Sequence, residues 1–572
     1  MTNCNSSGVK DYFVLVGNTT KAAGKLQPSE IEGSLSAVAN SLPQYFGERT
    51  RHSAVILQRF VYTGTDRCSA KACFLALSIL KAFGRLVDHS SDELVGKKAI
   101  HGLLQLALSL MKEAHGATGQ SDALNACNEA LTCVANALLL QPASREYVGE
   151  CQGFETLAEI LGSLKDTDAT TTFLCGRCLL LSLVSEAAAA HCVNGLGLQS
   201  VIARAVAMFL NHDIDSAAPS ERFTPQQVVA ELFKAAMSLC VYFQRGAVGS
   251  QGAISGSTKD DSLPPEYAAD FADLLNVILK SLRVLELSSG HLADPSRQAI
   301  SIALNFPTLE PEVIKDIWFP KEDKWINVDC IFGLFRSTID HIFSTKTAEM
   351  SLSPASKAAK GDNAQDNTLL CVSESYQNEL TPLALVLVRL MSENSDARLR
   401  IFHQIYPSSV DIDYKLLPED RPGIASRIVR LMRVPQGGML PGAMGDFLLA
   451  VLAQDIKQFI MAVGYGNAAG YMLARGIEMP EDVLDNAKGM LGENKSMVDP
   501  ITGRSLNQAD IDKELASMTE EEKEREAERL FVLFDRLNRT GIIKTENPVR
   551  AAMQSGRFKE IISDSLSGDE SD

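Results

Sequence analysis

The sequence has no long apolar run. Its N-terminus lacks a basic segment leading into an apolar core, and Tyr12 to Val16 is too short for a signal peptide or a membrane span, so a cytoplasmic location is expected. It has no surplus of basic residues either. Lys and Arg number 54 against 71 Asp and Glu, a formal net charge of −17, which argues against a nucleic-acid partner and favours a basic protein surface. Twelve cysteines form no regular framework, which suggests a reducing compartment. No β-rich alternating block recurs, so a βαβ sheet is unsupported. There is no P-loop, and none of the nine histidines pairs locally with Ser or Cys plus an acid. A catalytic centre, a cofactor and a metal site are therefore not expected.

What the chain does have is helical periodicity. After a polar arm at 1–24, Ser29 and Glu32 make an S-x-x-E capping box for a helix carrying Ile31, Leu35 and Val38. Apolar stripes then predict helices near 66–87, 92–115, 121–140, 152–164, 168–184, 198–211, 224–244, 265–288, 293–306, 324–343 and 376–392. Helix pairs recur about every 40–50 residues, the period of armadillo and HEAT arrays. The fold class expected is all-α: an armadillo/HEAT-like α-solenoid over 25–485 with a tethered C-terminal helix. Residues 246–264 and 344–368 lack apolar periodicity and read as mobile loops. A linker follows at 486–517, an amphipathic helix at 518–545, and an acidic, disordered tail at 546–572.

The densest pattern lies between Arg421 and Gly476. Ile424, Ile428, Leu431 and Met432 face one way and Arg427, Arg430 and Arg433 the other. Phe447, Leu448, Val451, Leu452, Ile456, Phe459, Ile460 and Val463 read as a single second helix, ended by Gly464. GYGNAAG then supplies the turn, with Gly464, Gly466, Asn467 and Gly470 as its structural residues. Gly464, Gly466 and Ala469 also have the G-x-G-x-x-A spacing of a dinucleotide loop, but the residues before them have a helical period where that loop needs a strand, so a helix–turn–helix corner is preferred. Cys175 and Cys178 form a C-x-x-C pair inside an apolar helix and read as buried core thiols, with a thiol-dependent enzyme as the reading that needs this helix broken and exposed.

Several of these segments resemble one family. R-x-x-R-L-M at Arg427 to Met432, GYGNAAG, LTPL at Leu380 to Leu383, ALNFP at Ala303 to Pro307, DPITGR at Asp499 to Arg504 and the run from Met518 to Ile543 match, in one order, the synembryns. These are exchange factors and chaperones for the α subunits of heterotrimeric G proteins (Gα), known for resistance to inhibitors of cholinesterase, and a fungal-type member is expected. The resemblance implies a non-receptor guanine-nucleotide exchange factor and folding chaperone that acts by differential binding without bond chemistry. Its solenoid groove would capture the Gα C-terminal helix through Asn136, Phe173, Arg177, Lys234 and Asn305. By spacing alone Asn136, Arg177 and Lys234 read first as ordinary solvated helix faces, and the resemblance reverses that order. The helix from Cys73 to Lys81 departs from the family by having Ser78 and Ala82 where arginines are expected.

Leu530, Phe531, Phe534 and Leu537 form an apolar stripe that would either brace the opened Gα or cap the array. Thr519, with Glu522, reads as a helix cap more than a phosphorylation site, and Ser567 in the acidic tail is the second phosphorylation candidate. A monomer, recruited to the cell cortex by Gα, is expected. The alternative function is an armadillo-type adaptor that binds linear peptides without promoting exchange.

Overall fold

The computed structural model describes residues 35–36, 69–84, 95–116, 120–164, 168–211, 222–251, 265–284, 292–306, 312–349, 372–407, 416–434, 438–477, 518–519, 522–523 and 525. Among the described residues there are nineteen helices and no strand, so the fold is all-α. The helices are α1 (Ala70–Gly84), α2 (Lys97–Gly116), α3 (Gln120–Leu140), α4 (Ser144–Glu150), α5 (Gly153–Ser163), α6 (Ala169–Ser182), α7 (Glu186–Leu196), α8 (Leu198–Asn211), α9 (Pro225–Gln251) and α10 (Pro265–Val284). They continue with α11 (Ser296–Leu304), α12 (Glu312–Trp318), α13 (Ile326–Glu349), α14 (Glu374–Glu393), α15 (Ser395–Ile405), α16 (Ile424–Met432), α17 (Leu440–Val451), α18 (Ile456–Val463) and α19 (Tyr465–Arg475). Two compact units are present, Met1–Val410 with Gly423–Asp455 and Asp411–Pro422 with Ile456–Asp572.

The first unit has two rows of helices. In one, α1, α3, α6, α9, α11, α14 and α17 each pack on the next. In the other, α2, α5, α8 and α10 do the same, and α10 then meets α12 and α13, which reaches α16. Helices α2 and α3, α8 and α9, α10 and α11, α13 and α14, and α16 and α17 join the rows. Contact between successive repeats in this order is that of a helical solenoid.

The sequence makes such close stacking possible. Helix α3 buries Ala123, Ala126, Cys127, Ala130, Leu131, Val134 and Leu138, small residues alternating with larger ones at helical spacing, so it fits between α1 and α6. Where α6 meets α9, a Cβ on Gly176 would lie 3.3 Å from Leu232 Cδ2, which explains a glycine in a helix interior. Aromatic contacts tie the rows together. Phe271 sits 5.8 Å from Phe243 and 6.2 Å from Phe306, and Phe335 sits 4.8 Å from Phe447. Truncating one of these buried rings to Ala costs about 3–5 kcal/mol.

The structure corrects three readings. Helix α9 continues through Gln251 and α13 through Glu349, so the loops predicted to start at 246 and 344 begin as helix. Helix α7 packs against α9, and a Cβ on Gly246 would lie 3.3 Å from Glu186 Cβ, so tertiary contact accompanies the helix where apolar period is missing. The single helix read from Phe447 to Val463 is two. Helix α17 stops at Val451, Ala453 and Gln454 take left-handed conformations (φ 59° and 61°), and Gln454 N donates to Leu449 O at 2.9 Å. Four short helices, α4, α7, α12 and α15, lie where no helix was predicted. Of these, α7 starts from a Ser185 cap and α15 from an Asn394 cap, and both have sequences with a weak apolar stripe.

The third correction concerns the glycine corner of the second unit. Helix α18 ends at Gly464, whose φ of 80° and ψ of 148° suit glycine, but Gly466, Asn467 and Gly470 are inside α19. Asn467 is therefore a helix residue, donating to Val463 O at 2.8 Å and to Glu419 Oε2 at 3.2 Å. A helix precedes the motif, so the phosphate-loop context is missing. A Cβ on Gly466 meets nothing within 4 Å. Gly464→Val is expected to destabilise by ~1–3 kcal/mol through backbone strain, while Gly466→Ala should be neutral or stabilising by up to ~1 kcal/mol through helix propensity. Urea unfolding of the two variants checks this; equal losses would return the turn to Gly466.

Candidate partner-binding groove

The row from α1 to α17 carries the five groove positions. Its polar side chains mostly bridge one helix to the next. Lys81 on α1 holds Glu129 on α3 (Nζ to Oε1, 2.7 Å), and Thr171 Oγ1 on α6 donates to Asn128 Oδ1 on α3 at 2.7 Å. Gln244 Nε2 on α9 donates to Asn305 O at 2.6 Å, and Arg389 on α14 donates to Leu304 O and Phe306 O. Each bridge satisfies groups that packing has half-buried, at about 0.5–1.5 kcal/mol net apiece.

This changes the meaning of three predicted groove residues. Arg177 on α6 points at Glu231 on α9, its Nε 2.5 Å from Oε1 and its Nη2 3.2 Å from Oε2. Glu231 is 1% exposed, so its carboxylate needs that guanidinium. Lys234 supports the same carboxylate at 3.5 Å. Asn305 caps α11, its Nδ2 donating to Ser301 O at 2.8 Å. The resemblance assigned these side chains to a partner; in the structure Arg177 ties α6 to α9, while Lys234 and Asn305 are engaged within their own helices.

Asn136 and Phe173 are different. Asn136 on α3 is half-buried and its Nδ2, out of reach of water, has no hydrogen-bond partner among the described residues. Rotating the amide about its last bond exchanges donor and acceptor. Phe173 stacks on Phe223 with ring centroids 3.8 Å apart and planes 11° from parallel. Phe223 was not singled out from the sequence, although a signal exists. It precedes T-P-Q-Q, where Thr224 Oγ1 accepts from Gln227 N at 3.3 Å and Gln227 Oε1 accepts from Thr224 N at 3.0 Å. This reciprocal capping box starts α9, and Pro225 sits at its first position. Phe223 thus occupies the position just before the cap, where a side chain is aimed by the helix entry angle.

The two thiols are buried. Cys175 and Cys178 are buried in an unbroken α6, and burial pushes Cys178 up to about 12 and Cys175 well above its ordinary value. Cys178 Sγ donates to Leu131 O at 3.7 Å. The exposed, broken helix that thiol chemistry would need is not present. Neither cysteine should be alkylated by iodoacetamide at pH 8 in the folded protein, and both should react in guanidinium. Peptide mass mapping reads the result; modification of the folded chain would reopen the thiol reading. Among the described residues no cluster of His, Cys, Asp or Glu could hold a metal.

In the second unit the predicted box at Thr519 is formed. Thr519 Oγ1 accepts from Glu522 N at 3.3 Å and Glu522 Oε2 accepts from Thr519 N at 2.9 Å, which holds the Glu522 carboxyl below its usual range. The Thr519 hydroxyl is thus engaged as a cap. Leu530, Phe531, Phe534, Leu537 and Ser567 lie outside the described residues.

Residues 76–557 match the family described as guanine nucleotide exchange factor synembryn. A chaperone ric-8 of Caenorhabditis elegans is 28% identical over 190 residues, 32% of this chain and 33% of the relative. A chaperone Ric-8A of Mus musculus is 31% identical over 173 residues, 29% and 32% of the two chains. A synembryn-like chaperone of Schizosaccharomyces pombe is 27% identical over 201 residues, 33% and 37%. The chain thus aligns with about a third of the length of the curated relatives it matches.

Proposed function

This chain belongs to the guanine nucleotide exchange factor synembryn family, and on that premise we propose that it is a non-receptor exchange factor and folding chaperone for Gα subunits. The observation that carries the reading is the family match from 76 to 557, which includes the row of helices with Asn136, Phe173 and Phe223. The C-terminal helix of Gα lies across this row. Its backbone carbonyls accept from Asn136, and an apolar side chain rests on the stacked rings. Leu530, Phe531, Phe534 and Leu537 make a second contact on the opened Gα. We further propose a cytoplasmic monomer drawn to the cell cortex by Gα.

No bond is made or broken. The protein binds nucleotide-free Gα more tightly than GDP-bound Gα, so binding shifts the population towards the empty state and GDP leaves. Coupling is reciprocal: nucleotide weakens the protein's hold on Gα by the factor by which the protein weakens nucleotide binding. The test is release of labelled GDP from purified Gα with and without the full chain. Accelerated release supports exchange, whereas peptide binding without acceleration supports the adaptor alternative.

A further inference from the structure

Arg177 is engaged inside the fold, and a second, exposed cation stands at the other end of the same ring pair. Arg177 stands 5.3 Å over the Phe173 ring and Arg222 stands 5.2 Å over the Phe223 ring, at the two ends of the stacked pair. The ends are not equivalent. Arg177 is held by buried Glu231. Arg222 is exposed and enters no ion pair among the described residues. Arg177 and Lys234 both pair with Glu231, which leaves Arg222 as the cation of this cluster with no ion pair among the described residues. An exposed guanidinium of this kind attracts an acidic ligand.

The local structure prepares Arg222 for that role. The Thr224–Gln227 capping box and Pro225 fix the entry into α9, and with it the position of Arg222 and Phe223. A guanidinium resting on an aromatic face is weakly hydrated and already oriented, so less freedom is lost when its planar fork meets a carboxylate. The half-buried rings next to it offer apolar surface within reach of the same ligand.

We propose that Arg222 is the specificity residue of the groove: it pairs with a carboxylate of the docked peptide while the Phe173–Phe223 plate takes an adjoining apolar side chain. This rests on the reading of the groove as a dock for the Gα C-terminal helix and identifies the chemistry that the dock selects. The carboxylate belongs either to the peptide's end or to an acidic side chain, and the test separates the two.

Fluorescence anisotropy would measure binding of a labelled synthetic Gα C-terminal helix to the full chain and to Arg222→Lys, Arg222→Ala and Arg222→Glu, with melting curves alongside. Arg222→Ala should weaken binding about tenfold, as expected for loss of a charge-assisted pair. Arg222→Glu should weaken it further, and Arg222→Lys should fall between wild type and Ala because the fork is lost but the charge kept. All melting curves should stay unchanged. One peptide carries an amidated C-terminus and a second carries Asn and Gln for its acids. The Arg222→Ala defect should vanish against whichever peptide lacks the recognised carboxylate. Wild-type affinity in Arg222→Glu, or an Arg222→Ala defect that persists undiminished against both neutralised peptides, overturns the assignment and leaves the dock standing. No binding of the peptide by the wild-type chain overturns the dock itself and this assignment with it.

Discussion

Arg177→Glu is expected to unfold the groove before it can weaken a partner. The substitution removes the guanidinium 2.5 Å from a carboxylate that is 1% exposed and puts a second carboxylate beside it. Breaking a buried pair by removing one partner typically costs about 3–5 kcal/mol, because the remaining charge is left uncompensated. Two features moderate the loss. Lys234 remains 3.5 Å from Glu231, and Arg177 is itself 37% exposed, so water reaches one side of the pair. The expectation is thus the lower end of that range, read as a shift in the denaturation midpoint. In a Glu231→Gln background the Arg177→Glu penalty should shrink, since the like-charge contact is gone. A wild-type midpoint for Arg177→Glu would show that Glu231 is satisfied without it. Asn136→Ala is the contrasting variant: its Nδ2 makes no hydrogen bond among the described residues, so peptide affinity should drop with little change in stability.

Truncation after Asp512 is expected to separate capture from exchange. It removes Leu530, Phe531, Phe534 and Leu537 together with the Thr519–Glu522 cap, and leaves α1 to α19 intact. If the distal stripe is a second Gα contact, the shortened chain should melt as the full one and bind the C-terminal peptide unchanged. GDP release should nevertheless fall by about 10²-fold or more, because linking two contacts raises avidity by 10²–10⁴ through effective concentration. Phe531→Ala with Phe534→Ala should reproduce most of the defect, since a buried interface aromatic can carry ~2 kcal/mol or more. Full exchange activity in the truncated chain would refute the second contact. A lowered melting temperature would assign the stripe to capping the array instead.

Most of the longer helices were legible from the spacing of their apolar residues. Ile424, Ile428 and Leu431 are spaced for one buried face and are buried, and Leu131, Val134 and Leu138 do the same for α3. The Thr519–Glu522 box was read from four residues and forms as read. Such features depend on neighbours within a turn or two of chain, where spacing alone decides geometry. The break after Val451 escaped because the apolar spacing keeps its phase through Ala453 and Gln454, neither of which is a usual breaker. The corner was misplaced by two residues because GYGNAAG contains three glycines, and only backbone dihedrals show that Gly464 alone needs a positive φ.

The row of helices was legible, and the roles of its side chains were not. Asn136, Phe173, Arg177 and Lys234 do share one row of helices, as the repeat pattern and the family resemblance implied. Whether a polar side chain on that row faces a partner or a neighbouring helix depends on residues about 50 positions away. Glu231 lies 54 residues from Arg177, and Gln244 lies 61 from Asn305. Local sequence therefore determined the all-α class, the repeat and the family, because these follow from short-range periodicity and motif order. Tertiary structure alone decided which cations are engaged and which has no ion pair among the described residues. Burial makes Glu231 demand Arg177, while the cap at Thr224 sets Arg222 outside that pair, on the face of a ring.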